Sequence, residues 1–233
     1  WTPQSSGLKG SLSCVTFVDA SLGMTAGGGY DNTLGYEVAT VLRTINGGAT
    51  WTAIKSLPRA DIQEITATDA LTWTAVGRSQ DAQGNASSLV LRTTDGGTSW
   101  SSSSTGTREV LYGVCFSTVN AGVVVGNVGI ILRTLDGGIT WTNAPGLLRG
   151  QLNDVFFSDM QTGTAVGYRS DGSGSTPTMI LRTTDGGATW APQAPEMAGT
   201  LQSVWFKDAN NGFAVGRDDS LGYWSGTLFR TNN

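Results

Sequence analysis

Four basic residues stand at one position of a repeating frame. Lys9, Arg59, Arg108 and Arg149 each lie three residues before a segment patterned L-x-x-V-x-F or its near-match, and Ala198 alone breaks the series. Two further arginines, Arg78 and Arg217, directly follow a Val-Gly pair. Guanidinium groups grip carboxylate and phosphate with two parallel hydrogen bonds. A fold that gathers these six side chains at one mouth of a channel would make a cationic collar for a protein or other anionic partner. The competing reading is a set of solvated loop charges paired locally with Asp61, Glu109, Asp218 and Asp219.

Catalytic chemistry finds less to work with. The chain contains no histidine, so Ser-His-Asp, Cys-His and His-based metal sites are excluded. Glu64 and Asp154 fall at equivalent positions two repeats apart, and a carboxylate pair is what glycoside hydrolysis requires. Tyr30, Tyr36, Tyr168, Tyr223 and Trp224 lie in variable loops, where aromatic faces stack on sugars; a glycan-binding role is the alternative they raise. No residue is assigned a catalytic role, and no metal or cofactor is expected.

The element that must position these residues is a decapeptide. It reads LRTINGGATW from Leu42, LRTTDGGTSW from Leu91, LRTLDGGITW from Leu132 and LRTTDGGATW from Leu181. A fifth copy is split, with Phe229-Arg230-Thr231-Asn232-Asn233 at one end of the chain and Trp1-Thr2 at the other. Asn46, Asp95, Asp136 and Asp185 supply a short polar side chain that bonds nearby backbone, and paired glycines accept positive φ. Trp51, Trp100, Trp141, Trp190 and Trp1 then anchor the next strand with a large apolar ring. The box arginines Arg43, Arg92, Arg133, Arg182 and Arg230 are expected beside the box aspartates, in a structural pairing role.

This decapeptide resembles the Asp-box, or bacterial neuraminidase repeat, S/T-x-D-x-G-x-T-W. The resemblance implies that the box is a structural turn, and Asp-boxes occur in sialidases and xyloglucanases. The combination of G-x-A-V-G, a short loop, the box and L-x-x-V-x-F-x-D is similar to the photosystem II assembly and stability factor propellers. That likeness implies a non-enzymatic, lumenal protein that holds its partner through an arginine-rich patch.

The tryptophans are spaced 50, 49, 41 and 49 residues apart, a propeller period with four strands to a blade. The expected fold is all-β: a five-bladed propeller, residues 1–233 forming one domain. The strand after Trp1 joins the blade of residues 201 to 230 and closes the ring. A larger propeller, of which this chain is an excerpt, is the rival reading.

Composition narrows the setting. Glycine contributes 33 of 233 residues and charged residues 14%, which suits a turn-rich β-protein with its own core. The net charge of −4 argues against a general nucleic-acid binder. No apolar run reaches the roughly 20 residues a membrane helix needs. Three lysines against eleven arginines, with abundant Ser, Thr and Gly, suit an exported protein. Placement outside the cytoplasm (secreted, periplasmic or lumenal) is expected, with the targeting signal outside this chain. Cys14 and Cys115 are expected as free, buried thiols.

Overall fold

The computed structural model describes residues 2–8, 10–144, 149–170, 176–193, 197–218 and 225–232. It divides into two compact units, Trp1–Leu111 and Tyr112–Asn233. The first holds two antiparallel sheets. Sheet one runs β1 (Ser11–Phe17), β2 (Gly23–Asp31), β3 (Tyr36–Thr44), β4 (Thr52–Pro58), and sheet two runs β5 (Ala60–Ala67), β6 (Trp73–Gln80), β7 (Ala86–Thr93), β8 (Ser101–Ser102).

The second unit holds three. Sheet three is β9 (Leu111–Phe116), β10 (Gly122–Gly126), β11 (Ile131–Thr134), β12 (Thr142–Asn143); sheet four is β13 (Gly150–Phe157), β14 (Gly163–Arg169), β15 (Thr178–Thr183), β16 (Ala191–Pro192). Sheet five has three strands, β17 (Thr200–Phe206), β18 (Asn211–Asp218) and β19 (Ser225–Asn232). Each sheet is a meander in chain order, as the repeat requires. Among the described residues no helix is long and apolar enough to cross a membrane.

The L-x-x-V spacing needs explanation, because a strand alternates with period two. Residues three apart cannot both face the core unless one extra residue is absorbed. The strands absorb it in a β-bulge between Leu12 and Cys14, Ile62 and Glu64, Leu152 and Asp154, and Leu201 and Ser203. Leu152 and Val155 are therefore both buried in one junction, as are Ile62 and Ile65.

Packing follows the same template within each unit. Sheets one and two enclose Met24, Ala26, Val41, Ile62, Ile65 and Trp73. Sheets three and four enclose Val123, Val125, Ile131, Leu152, Val155 and Leu181. Sheets four and five meet through Val166, Ile180, Leu201, Val204 and Phe206. Each fully buried Val, Leu or Ile contributes about 1.5–3 kcal/mol, so these junctions stabilise each unit from within. The expected burial of strands on both faces holds at Val123-Val124-Val125. It fails on one face of sheet one, where Val15 is 59% exposed, and on one face of sheet five, where Leu228 is 68% exposed.

The expected ring closure is not part of the described fold. Trp1 lies outside the described residues, Thr2–Leu8 carry no strand, and sheet five has three strands rather than four. Pro3 has no amide to give a ladder and Gly7 sits at φ +68°, both of which break an extended run. Cys14 and Cys115 are free, as expected, but half-buried rather than buried.

Candidate functional site

The box is a hydrogen-bonded turn built around a threonine. Thr134 Oγ1 donates to Asp136 Oδ1 at 2.8 Å and accepts the Gly138 amide at 2.8 Å. Asp136 in turn accepts the Thr140 amide at 2.9 Å and the Thr140 hydroxyl at 2.5 Å. Asp95 and Asp185 repeat the arrangement with Ser99 and Thr189. At Asn46 the amide oxygen accepts the Thr50 N–H while the amide nitrogen donates to Thr50 Oγ1, both at 2.9 Å. The glycines at φ +71° and +92° (Gly96 and Gly97) take a backbone course that a Cβ would oppose. These donors, the hydroxyl first and the amide second, hold Asp95 at a pKa of about 2.

Every box aspartate is thus consumed by its own turn. The box tryptophans are equally occupied: Trp51, Trp141 and Trp190 stand edge-on to Phe17, Phe116 and Phe157. Trp100 packs into the core cluster of the first unit.

The box arginines do not pair with their own aspartates as expected. Arg133 Nε donates to Gly186 O at 2.8 Å and Arg182 Nη2 to Ala209 O at 2.9 Å. Arg43 Nη2 stands beside Gly96. The side chain is long enough to reach a backbone carbonyl of the next repeat, while its own aspartate is already engaged by its turn. Their role is structural but runs between repeats.

The six proposed binding residues fall into different situations. Arg59 forms the single-residue connection between β4 and β5 and adopts φ +56°, a left-handed conformation that costs a non-glycine residue about 1–2 kcal/mol. Its amide donates to Glu37 O at 2.7 Å and its carbonyl accepts the Gln80 amide at 2.8 Å. So held, its guanidinium carbon lies 4.5 Å from the centre of the Tyr36 ring. Cation–π contact leaves the N–H edge of the guanidinium available.

Arg78 is engaged differently. Its Nη2 meets Glu37 Oε1 at 2.7 Å and Oε2 at 2.8 Å, and its Nε lies 3.9 Å from Asp61 Oδ2. Asp61 also accepts from Gln63 Nε2 at 2.7 Å. Burial, and then the Glu37 charge, push the Asp61 pKa up against the opposing pull of Arg78. Gly28 makes room for this cluster, since a Cβ there would sit 2.7 Å from Asp61 Oδ1.

Arg108 is exposed in the loop before β9, and Arg149 is exposed before β13, its carbonyl accepting the Ser170 amide at 3.0 Å. That bond repeats the one between Arg59 and Gln80, so in both units the basic connection sits beside the loop that follows the second strand. Arg217 lies opposite Thr200 in sheet five. Lys9 lies outside the described residues. Among the described residues no carboxylate forms an ion pair with Arg59, Arg108 or Arg149.

Asp154 is a tie between sheets. Its Oδ2 accepts the Ser203 hydroxyl and the Val204 amide, both at 2.8 Å, and its Oδ1 accepts the Val155 amide at 2.7 Å. Burial pushes its pKa up, and those three donors oppose the rise. Both oxygens are engaged in holding the two strands in place. Among the described residues no three His, Cys, Asp or Glu side chains converge on a point that could hold a metal ion.

The model of the family described as Photosynthesis system II assembly factor YCF48 matches residues 97–193. No curated protein matches. A solved structure of YCF48 bound to D1 peptide is similar at a TM-score of 0.54 and 17% identity, covering 100% of this chain and 82% of that one. YCF48 from Cyanidioschyzon merolae gives 0.63 and 18%, with 99% and 69% covered. A GH74 xyloglucanase from Xanthomonas campestris gives 0.65 and 15%, with 95% of this chain but 37% of that one. The fold is shared by an assembly factor and by hydrolases, so fold alone does not choose between them.

Proposed function

We propose that the chain is a non-catalytic scaffold that holds a protein partner through its basic connections. Arg59 is the principal contact, with Lys9, Arg108, Arg149 and Arg217 as further members of the set. The observation that carries this reading is the geometry of Arg59. A strained backbone conformation holds its guanidinium carbon 4.5 Å from the centre of the Tyr36 ring, with no described carboxylate to neutralise it. Such strain persists where the surroundings demand it and concentrates at functional positions. Arg78 serves a supporting role, since Glu37 already occupies its fork.

The chemistry of the set suits a carboxylate-rich segment, and the match to an assembly-factor family, one of whose likenesses is a structure bound to a peptide, supports a protein rather than a small ion. The saturated carboxylates of the boxes and of Asp154 speak against glycosidase action. A glycan reading loses support at Tyr36, because Arg59 covers that ring.

The test is recovery of a partner from the native source on immobilised protein, repeated with Arg59→Glu/Arg149→Glu. The partner should be retained by the wild type, be lost from the double variant, and elute as salt is raised, because exposed charge contacts are screened. Retention by the double variant would sink the reading.

A further inference from the structure

Asparagine precedes glycine at two places in the chain, Asn46-Gly47 and Asn211-Gly212. In such a pair the glycine nitrogen can close on the asparagine side-chain carbon, because the following residue has no Cβ to obstruct the approach. Asn46 stands where the other complete boxes carry Asp95, Asp136 and Asp185. Those aspartates are held as carboxylates at neutral pH by their turn donors, and a carboxylate anion resists nucleophiles. The neutral carboxamide of Asn46 does not.

The turn activates that carboxamide. Thr44 Oγ1 and the Thr50 amide each donate to Asn46 Oδ1 at 2.9 Å. They lie where negative charge gathers when a nucleophile adds to Cγ, as the donors of an oxyanion hole do. Asn46 and Gly47 are both exposed, so hydroxide reaches them. Ring closure gives up the bond from the Gly47 amide to Ser21 O at 2.9 Å and leaves the two donors on Oδ1. The product is favoured as well. Asn46 Nδ2 donates to Thr50 Oγ1 at 2.9 Å, whereas the hydroxyls of Ser99, Thr140 and Thr189 donate to their aspartates at 2.6, 2.5 and 2.5 Å. A carboxylate at position 46 exchanges a neutral hydrogen bond for a charge-assisted one. Asn211 has the opposite surroundings. Its Nδ2 donates to both oxygens of Asp208, at 2.9 and 3.1 Å, and that anion opposes a second negative charge beside it. Gly212 is buried in β18 opposite Thr231.

We propose that Asn46 is a self-modification site, at which the chain deamidates to make a fourth box aspartate. The Gly47 nitrogen gives its proton to hydroxide and bonds to Asn46 Cγ. The Cγ–Nδ2 bond breaks, and Nδ2 takes a proton from water and leaves as ammonia. Water then adds to Cγ of the cyclic imide, the carbon whose oxygen the two donors polarise. The bond from Cγ to the Gly47 nitrogen opens, that nitrogen regains its proton, and aspartate is left with the main chain intact. Opening at the main-chain carbonyl would give isoaspartate, which lengthens the backbone and draws the carboxylate away from its donors. The sum is one water consumed, one ammonia released and one negative charge gained.

The test uses the native protein, held in mildly alkaline buffer and sampled over time. Peptide mass mapping reads deamidation at each asparagine, and isoaspartyl methyltransferase labelling separates isoaspartate from aspartate. Asn46 should convert at least tenfold faster than Asn211, with aspartate as the main product, and the converted fraction should be retained longer on an anion exchanger. In urea, where no turn directs the ring opening, both asparagines should convert and isoaspartate should form at each. Asn46→Asp should melt higher than the wild type. Conversion of Asn46 in urea but not in the native protein overturns the proposal. So do equal native rates at Asn46 and Asn211, isoaspartate as the main native product, or a lower melting temperature for Asn46→Asp.

Discussion

The hydroxyl of Thr183 stands 2.8 Å from Asp185 Oδ1 and 3.0 Å from the Gly187 amide. It is almost wholly buried, whereas the aspartate it serves faces solvent. The turn therefore has a hidden hub and a visible rim, and the two should respond differently to substitution. Thr183→Val leaves a buried amide and a carboxylate oxygen without their partner, a loss of about 1–3 kcal/mol. Calorimetry should show a melting temperature lower by about 2–4 °C for each kcal/mol in a chain of this size. Asp185→Ala should lower it less, and partner retention should survive both.

Acid should reveal two carboxylate populations with opposite signs. Asp95, Asp136 and Asp185 are held at about 2 by their Ser99, Thr140 and Thr189 donors. Their contribution is complete above the unfolded carboxylate value of about 4 and is lost as the pH falls towards 2. Asp154 is raised instead, chiefly by burial. The folded state then binds the extra proton, so its contribution is complete below the unfolded value and declines as pH rises through the folded one. Urea midpoints of wild type and Asp154→Asn should differ by a constant below about pH 4 and shift in favour of the variant above it. Parallel curves would refute the assignment.

Cys14 should be inert in the native protein. Burial pushes its thiol up to about 12, and its Sγ donates to Ala26 O at 3.5 Å. Since the thiolate is the reactive species, iodoacetamide at neutral pH should leave Cys14 unmodified until denaturant is added. Peptide mass mapping reads this directly.

Arg59 and Arg78 should separate stability from binding. Arg59→Gly removes the left-handed strain at the entropic cost of a glycine, a net gain of up to about 1 kcal/mol. The melting temperature should hold or rise while partner retention falls. Arg78→Ala leaves Glu37 facing Asp61 without the intervening cation, and half-exposed pairs of this kind contribute up to about 1 kcal/mol. Here stability should drop first.

The repeat, the turn and the all-β class are legible in the sequence because the box recurs with its glycines and tryptophan in register. The threonine hub was hidden by its commonness: Thr44, Thr93, Thr134 and Thr183 look like ordinary strand residues until their burial is seen. Sequence spacing puts the box arginines beside the wrong partner, because reach across a junction depends on packing and not on distance along the chain. Arg59 was visible as a charge, but its backbone conformation was not, since nothing in Pro58-Arg59-Ala60 distinguishes a left-handed arginine from an extended one. The fourth strand of sheet five was expected from the split box, and no strand precedes Ser11 among the described residues.

The bulge in β1, β5, β13 and β17 sets where the chain tolerates a change of length. Tryptophan spacing varies between 41 and 50 residues, yet the leading Leu or Ile and the following Val or Ile stand three positions apart in all five repeats. Loops such as Asn127–Gly129 absorb the variation because no alternation passes through them. A residue inserted or deleted beside Asn153 would instead move Val155 and Phe157 to the opposite face of β13 and bring Phe156 into the junction. Indels should therefore accumulate after the second strand of a repeat and be absent from the first. In these four strands, the bulge is the point where one inserted or deleted residue turns the strand inside out.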